Sequence, residues 1–183
     1  RGECDDCPNG WFQDRAGQKA CTQCARGEQY ETAKIPCSAC DVGMYAGMPG
    51  NCVHCAPGKY QDEKRQLTCK DCPVDTFNVL DGSTSRFECL ACAVSYEPHT
   101  TTSGATGISN ASAGCVCAGA IPEATAGTDA ARGYFGADTC LVCPAGAACP
   151  YDGMTVAEIF PLPGFWRPHG SSEHFSSCED AFR

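Results

Sequence analysis

The sequence predicts a small disulfide-rich fold: an elongated tandem array of loop modules with short β-hairpins and little helix. Three observations predict it. Eighteen of the 183 residues are cysteine. Most of them fall in C-x-x-C pairs at near-regular intervals: Cys4/Cys7, Cys21/Cys24, Cys37/Cys40, Cys52/Cys55, Cys69/Cys72 and Cys89/Cys92, with Cys140/Cys143 further on. Leu, Ile, Val and Phe together make up only about 14% of the chain, too little for one organising core. Cross-links that restrict the unfolded chain are the compensating feature, since a closed loop of about 15 residues contributes roughly 3 kcal/mol in the chain-entropy model.

Alignment on the second cysteine of each pair exposes the repeating element. Cys7 is followed by Gly10 and Phe12, Cys24 by Gly27 and Tyr30, Cys40 by Gly43 and Tyr45, and Cys55 by Gly58 and Tyr60. Cys72 keeps the aromatic as Phe77 but carries Asp75 at the glycine position. The unit is C-x-x-G-x-[FY], then a polar stretch, then C-x-x-C. Gly or Asp three residues after the cysteine suits a turn needing positive φ. The aromatic is placed to fold back over the disulfide of its own loop. Trp11 beside Phe12 gives the first loop two rings, one expected to cover its disulfide and the other to face solvent. Turn-forming runs such as Ala46-Gly47-Met48-Pro49-Gly50-Asn51 suit tight hairpins before the next cysteine.

Residues 93–139 read as a looser region. Thr100 to Gly104 and the stretch Ala118 to Ala131 are small, polar and nearly free of aromatics, which predicts long mobile loops or a linker. Asn110-Ala111-Ser112 is the one N-x-[ST] sequon and marks Asn110 as a glycosylation candidate. In the segment 140–183, Thr155-x-x-Glu158 ahead of Ile159-Phe160 predicts a capping box opening one or two helical turns, stopped by Pro161.

The motif resembles a known family. C-x-x-G-x-[FY] with the next cysteine 12 to 14 residues on is similar to the single-disulfide loop of tumour necrosis factor receptor ectodomains. Its tandem repetition resembles the ephrin-receptor-like cysteine-rich repeats of animal and protist surface proteins. The resemblance covers residues 4–92, weakens through 93–139 and returns at Cys140-Leu-Val-Cys143-Pro-Ala-Gly146. Pro163-Gly164-Phe165-Trp166-Arg167 is similar to a P-G-[FY]-W-R element that follows such repeats in large protist membrane proteins. The resemblance implies single-disulfide loops, non-catalytic binding or architecture, and the pairs Cys7–Cys21, Cys24–Cys37, Cys40–Cys52, Cys55–Cys69 and Cys72–Cys89. Extending the register adds Cys92–Cys115 and Cys117–Cys140, leaving Cys4, Cys143, Cys149 and Cys178 unassigned. The rival is an interleaved register, Cys4–Cys21 and Cys7–Cys24, which uses every cysteine of the first six pairs.

Disulfides require an oxidising compartment, so the chain is expected to be extracellular or at a cell surface, with an organelle lumen as the alternative. Arg1 stands where an initiator Met would, and no apolar run is long enough to span a bilayer. That reads as a mature, processed or partial segment without membrane insertion. A formal charge of −9 opposes nucleic-acid binding, which requires basic patches.

Zinc is the main chemical rival for C-x-x-C pairs. The intervals between successive pairs, 11 to 16 residues in the first part of the chain, mostly fall short of zinc-site spacing, and the Gly-aromatic motif is nothing that zinc requires. A dithiol oxidoreductase would need one reactive pair on a βαβ scaffold, and C-x-x-C followed by His, the haem attachment signal, is absent. His169 and His174 flank Glu173 but read as solvated loop residues. With no nucleophile elbow, phosphate loop or H-E-x-x-H, neither enzymatic activity nor any cofactor is expected.

Phe165, Trp166 and Arg167 are the candidate partner contact, because aromatic and Arg residues dominate interface hot spots. The competing reading makes Phe165 and Trp166 the local core of the Cys149-to-Cys178 loop.

The organisation is thus 1–92 tandem loop repeats, 93–139 a looser region, and 140–183 a C-terminal cysteine-rich segment. The expected role is a non-catalytic extracellular or lumenal module for protein–protein interaction or structural assembly. Alternatives are an accessory subunit docked on the lumenal face of a membrane complex, and a zinc-binding array. A linear array should also exceed the roughly 16 Å radius of gyration of a compact globule of this length.

Overall fold

The structure is a computed structural model that describes residues 6–96, 98, 100–118, 133–136 and 139–179. Among them, regular structure consists of nine two-stranded antiparallel hairpins, two four-residue helices (Cys92–Ser95 and Ala111–Gly114) and one 3-10 turn at Arg86–Glu88. The fold is a small disulfide-rich tandem array of single-disulfide loops.

Among the described residues there are eight disulfides: Cys7–Cys21, Cys24–Cys37, Cys40–Cys52, Cys55–Cys69, Cys72–Cys89, Cys92–Cys115, Cys117–Cys140 and Cys143–Cys149. Cys178 is exposed and unpaired among the described residues, and Cys4 lies outside them. A cysteine in a disulfide has no thiolate to give a metal, and no cluster of potential metal ligands occurs among the described residues.

The first five loops open with the same turn. The residue after the cysteine accepts a backbone hydrogen bond from the residue after the glycine, as in Trp11 to Pro8, Lys59 to Ala56 and Thr76 to Pro73. The third turn position therefore has positive φ: 82° at Gly58 and 62° at Asp75, the one place where Asp replaces Gly. A short hairpin follows, Trp11–Phe12 pairing with Thr22–Gln23 in the first loop and Lys59–Tyr60 with Lys70–Asp71 in the fourth. The next cysteine pair closes one loop and opens another. Its second member donates back to the turn glycine, as Cys24 does to Gly10 and Cys72 to Gly58, at 2.8 Å each.

The described residues form two compact units. The first comprises Arg1–Cys72, Asn78–Cys89 and Gly107–Ser109; the second comprises Pro73–Phe77, Leu90–Thr106 and Asn110–Arg183. In the first unit, successive loops share backbone hydrogen bonds. Gly43 donates to Gln61 O at 2.7 Å, Gly58 to Asn78 O at 2.7 Å, Ala46 to Gln66 O at 3.0 Å and Gln61 to Ser83 O at 2.9 Å. A Cβ at Gly43 would collide with the carbonyl of Gly82, and one at Gly58 with that of Gly107, so glycine is required by closeness as well as by φ. The buried positions here are chiefly cysteines (Cys24, Cys40, Cys55, Cys72), Ala46 and Tyr60. The turn-following Gln61 and Asn78 are buried too, and both are satisfied: Gln61 Nε2 donates to Thr68 O at 2.7 Å and Asn78 Nδ2 to Ser83 Oγ at 2.6 Å. Trp11 and Phe12 are both half-buried, so the first loop does not divide them into one covered and one exposed ring.

Among the described residues, the second unit has what the first lacks, a small apolar core of Tyr134, Ala147, Cys149, Met154, Ile159 and Phe175. Three further expectations from sequence fare differently here. Thr100–Thr101, read as mobile loop, forms a strand paired with Val116–Cys117. Thr155 to Glu158 is a capped turn and not a helix. Glu158 Oε2 does accept from Thr155 N and Oγ1 at 2.8 Å each, but Phe160–Pro161 enters a strand paired with Ala147–Ala148 before a second turn can wind. The stretch Ala118 to Ala131 lies, apart from Ala118, outside the described residues.

Candidate interaction surface

Residues 161–178 form a module of the same pattern without its cross-link. Leu162-Pro163-Gly164-Phe165 makes the shared turn, with Phe165 N donating to Leu162 O at 3.0 Å and Gly164 at φ 86°. Phe165–Trp166 then pairs with Ser176–Ser177, and Cys178 donates to Gly164 O at 2.8 Å, as Cys24 does to Gly10. In this register Pro161 takes the place of Cys7 and Phe175 the place of Cys21. The Phe175 ring, 7% exposed, fills the position with apolar surface where the other modules put sulfur.

The strand alternation separates Phe165 from Trp166. Phe165 packs against the core of the second unit, with its ring so close to Gly146 that a Cβ there would collide with it. Trp166 faces outward and is 42% exposed. The two readings of this pair therefore each describe one residue: Phe165 is core and Trp166 is surface.

Arg167 is turned inward. Its Nε donates to Ser172 O at 2.7 Å, its Nη1 to Ile159 O at 2.7 Å and its Nη2 to Val156 O, while the guanidinium lies 5.3 Å from the centre of the Phe175 ring. Three carbonyls engage all three nitrogens of the planar fork, and one ring packs beside it. Burial and the neighbouring Glu173 carboxylate push the Tyr134 phenol up to about 12 in the same core. His169 and His174 are exposed; His169 Nδ1 contacts Ser171 Oγ at 3.0 Å and the His174 backbone N–H donates to Ser172 Oγ at 3.1 Å.

Asn110 is exposed at the N-terminus of the Ala111–Gly114 turn. Its Oδ1 accepts from Ser112 N at 3.0 Å and from Ser112 Oγ at 2.9 Å, so the sequon's Asn and Ser already touch. Sequence reasoning missed Phe175 and the inward role of Arg167. The signal lies in the turn motif of 162–166, which repeats the module's pattern without its cysteine.

Residues 1–33 and 47–89 match the family described as tyrosine-protein kinase ephrin type A/B receptor-like. The chain is 36% identical over 96 residues to the human signal peptide, CUB and EGF-like domain-containing protein 3, covering 47% of this chain and 10% of that protein. To the mouse signal peptide, CUB and EGF-like domain-containing protein 2 it is 36% identical over 89 residues, covering 49% of this chain and 8% of that one. It thus spans about a tenth of the length of these relatives. Disulfide-dense loops and this kinship make it a cysteine-rich extracellular module.

Proposed function

Taking as premise that its repeats at residues 1–33 and 47–89 belong to the ephrin type A/B receptor-like family, we propose that the chain is a non-catalytic module that binds a protein partner, with Trp166 as the anchor of the contact. The observation that carries this reading is a large ring, 42% exposed, held on a hairpin whose neighbours Phe165 and Arg167 are both committed inward. A rigidly held, half-exposed Trp loses little conformational freedom on binding and hides much apolar area. Asn110, exposed and clear of this hairpin in sequence, is the proposed glycan acceptor.

The test is co-purification of the native assembly with Trp166→Ala, with the disulfides verified by mass. Removing a buried interface Trp costs at least about 2 kcal/mol, so association should fall roughly thirtyfold. Full-strength association in that variant, together with its loss in Tyr45→Ala or Val53→Ala, would move the contact to the groove lined by Tyr45, Val53, His54 and Lys59 on the repeats.

A further inference from the structure

A second surface in the same unit has a chemistry of its own. Tyr151, Asp152, Gly153, Met154, Glu158 and Phe160 line an open groove of about 320 Å³. Two rings stand in solvent there, Tyr151 at 71% exposure and Phe160 at 47%. Their neighbours Met154 and Ile159 are buried in the core, so the segment had apolar side chains for its own packing and still presents two aromatic rings outward.

The groove is set in place by ordinary local bonds. Tyr151 N–H points to Met154 Sδ at 3.5 Å, and Gly153 N donates to Cys117 O at 2.6 Å. The two Thr155 hydrogen bonds fix the Glu158 carboxylate at the groove and hold it below the usual carboxylate range. Asp152 Oδ2 accepts from Ser103 Oγ at 2.6 Å.

Among the described residues, no Lys or Arg lines the groove. Among the described residues of this unit the one Lys or Arg is Arg167, which is held by the carbonyls of Ser172, Ile159 and Val156. Over residues 90–183 the sequence carries nine Asp or Glu against three Lys or Arg.

We propose that this groove receives the cationic side chain of an arginine or lysine presented by a protein partner. Aromatic ring faces attract a cation through their quadrupole, and a carboxylate beside them supplies a charge-assisted acceptor. An apolar occupant would strip water from the Glu158 carboxylate with nothing in return, and an acidic one would be repelled. Arginine fits better than lysine, because its plane stacks on a ring while its edge meets a carboxylate. The acidic surroundings favour encounter with a basic partner surface. The inference rests on the reading of the chain as a protein-binding module and names the chemistry of the bound side chain.

The experiment is a titration of the uniformly ¹⁵N-labelled 183-residue chain with a blocked Gly-Gly-Arg-Gly-Gly peptide and with its citrulline analogue, followed by amide shifts. Saturable shifts at Gly153 and Glu158 with the arginine peptide, at least threefold weaker with citrulline, are expected. Tyr151→Ala and Glu158→Gln should each weaken binding about three- to fivefold. Gln keeps an acceptor for Thr155, so Glu158→Gln removes charge and retains the turn. The absence of saturable shifts, equal response to citrulline, or unchanged binding in both variants overturns the proposal. None of these outcomes touches the Trp166→Ala test, which is read on the native assembly, so the two readings fail separately.

Discussion

Asp75 shows how one residue position serves both backbone and network. It stands where neighbouring repeats have glycine, adopts φ 62°, and offers its carboxylate to Thr101 Oγ1 and to Thr102 N–H at 3.0 Å, while its own N–H donates to Thr102 Oγ1 at 2.9 Å. The two roles separate by substitution. Asp75→Asn tolerates the left-handed backbone and keeps an acceptor, and should cost about 1 kcal/mol. Asp75→Gly keeps only the backbone and should cost about 2 kcal/mol. Asp75→Ala loses the acceptor and adds strain, and should cost about 3 kcal/mol. Denaturant midpoints in that order are expected; Asp75→Ala as stable as Asp75→Asn would refute the account. The turn position was legible in the sequence because it is set by its own cysteine three residues away. The threonine clasp was not: Thr101 and Thr102 lie 26 and 27 residues on, and a run of small polar residues reads as linker until its partner is known.

At the scale of one element, the 161–178 hairpin shows that the module's turn and register do not depend on a disulfide. Phe175 and the Arg167 fork hold it. Phe175→Ala should destabilise the second unit by about 3–5 kcal/mol, the range for removing a buried ring. Phe87→Ala in the first unit, at 94% exposure, should be near neutral by the same thermal melt. Arg167→Lys should also weaken the hairpin, since an ammonium cannot reach three carbonyls in one plane. Tyr134 gives this core a pH signature. Its folded pKa, about 12, lies above the ordinary value of 10, so the folded state holds the proton more tightly. That stability is fully present below pH 10 and is lost as pH rises from 10 towards 12. Tyrosine ionisation followed at 295 nm should show a component at about 12 that Tyr134→Phe removes, and the same variant should flatten the loss of stability across that window. A melt equally steep in Tyr134→Phe would assign the alkaline loss to another group. This core was only half legible: Phe165 could be read as local core of the Cys149-to-Cys178 loop, but Tyr134 lies in a segment whose composition reads as linker.

For the whole molecule, composition told correctly which force dominates. A chain with about 14% Leu, Ile, Val and Phe has buried cysteines where other proteins bury aliphatic side chains. The eight bonds among the described residues should contribute a mass gain of about 16 Da on full reduction, about 2 Da each, and reduction should abolish cooperative melting. What spacing alone could not show is that loops of the first unit also share backbone hydrogen bonds, since amides carry no sequence signature. Those bonds make the loops neighbours in energy as well as in sequence. Removing one disulfide should therefore be felt one loop away and fade beyond it, as in repeat arrays with nearest-neighbour coupling. Substituting Cys55 and Cys69 together by Ala gives the test, read by amide hydrogen exchange. Gly43 and Ala46 donate into the 55–69 loop, while Gly58 and Gln61 donate out of it to Asn78 and Ser83. Exchange should quicken at all four. Cys24, which opens the loop two upstream and whose N–H donates to Gly10, should keep its protection. Equal acceleration at Cys24 would mean that the unit opens as one block, and protection retained at Gly43 and Ala46 would mean that the shared bonds contribute nothing to coupling.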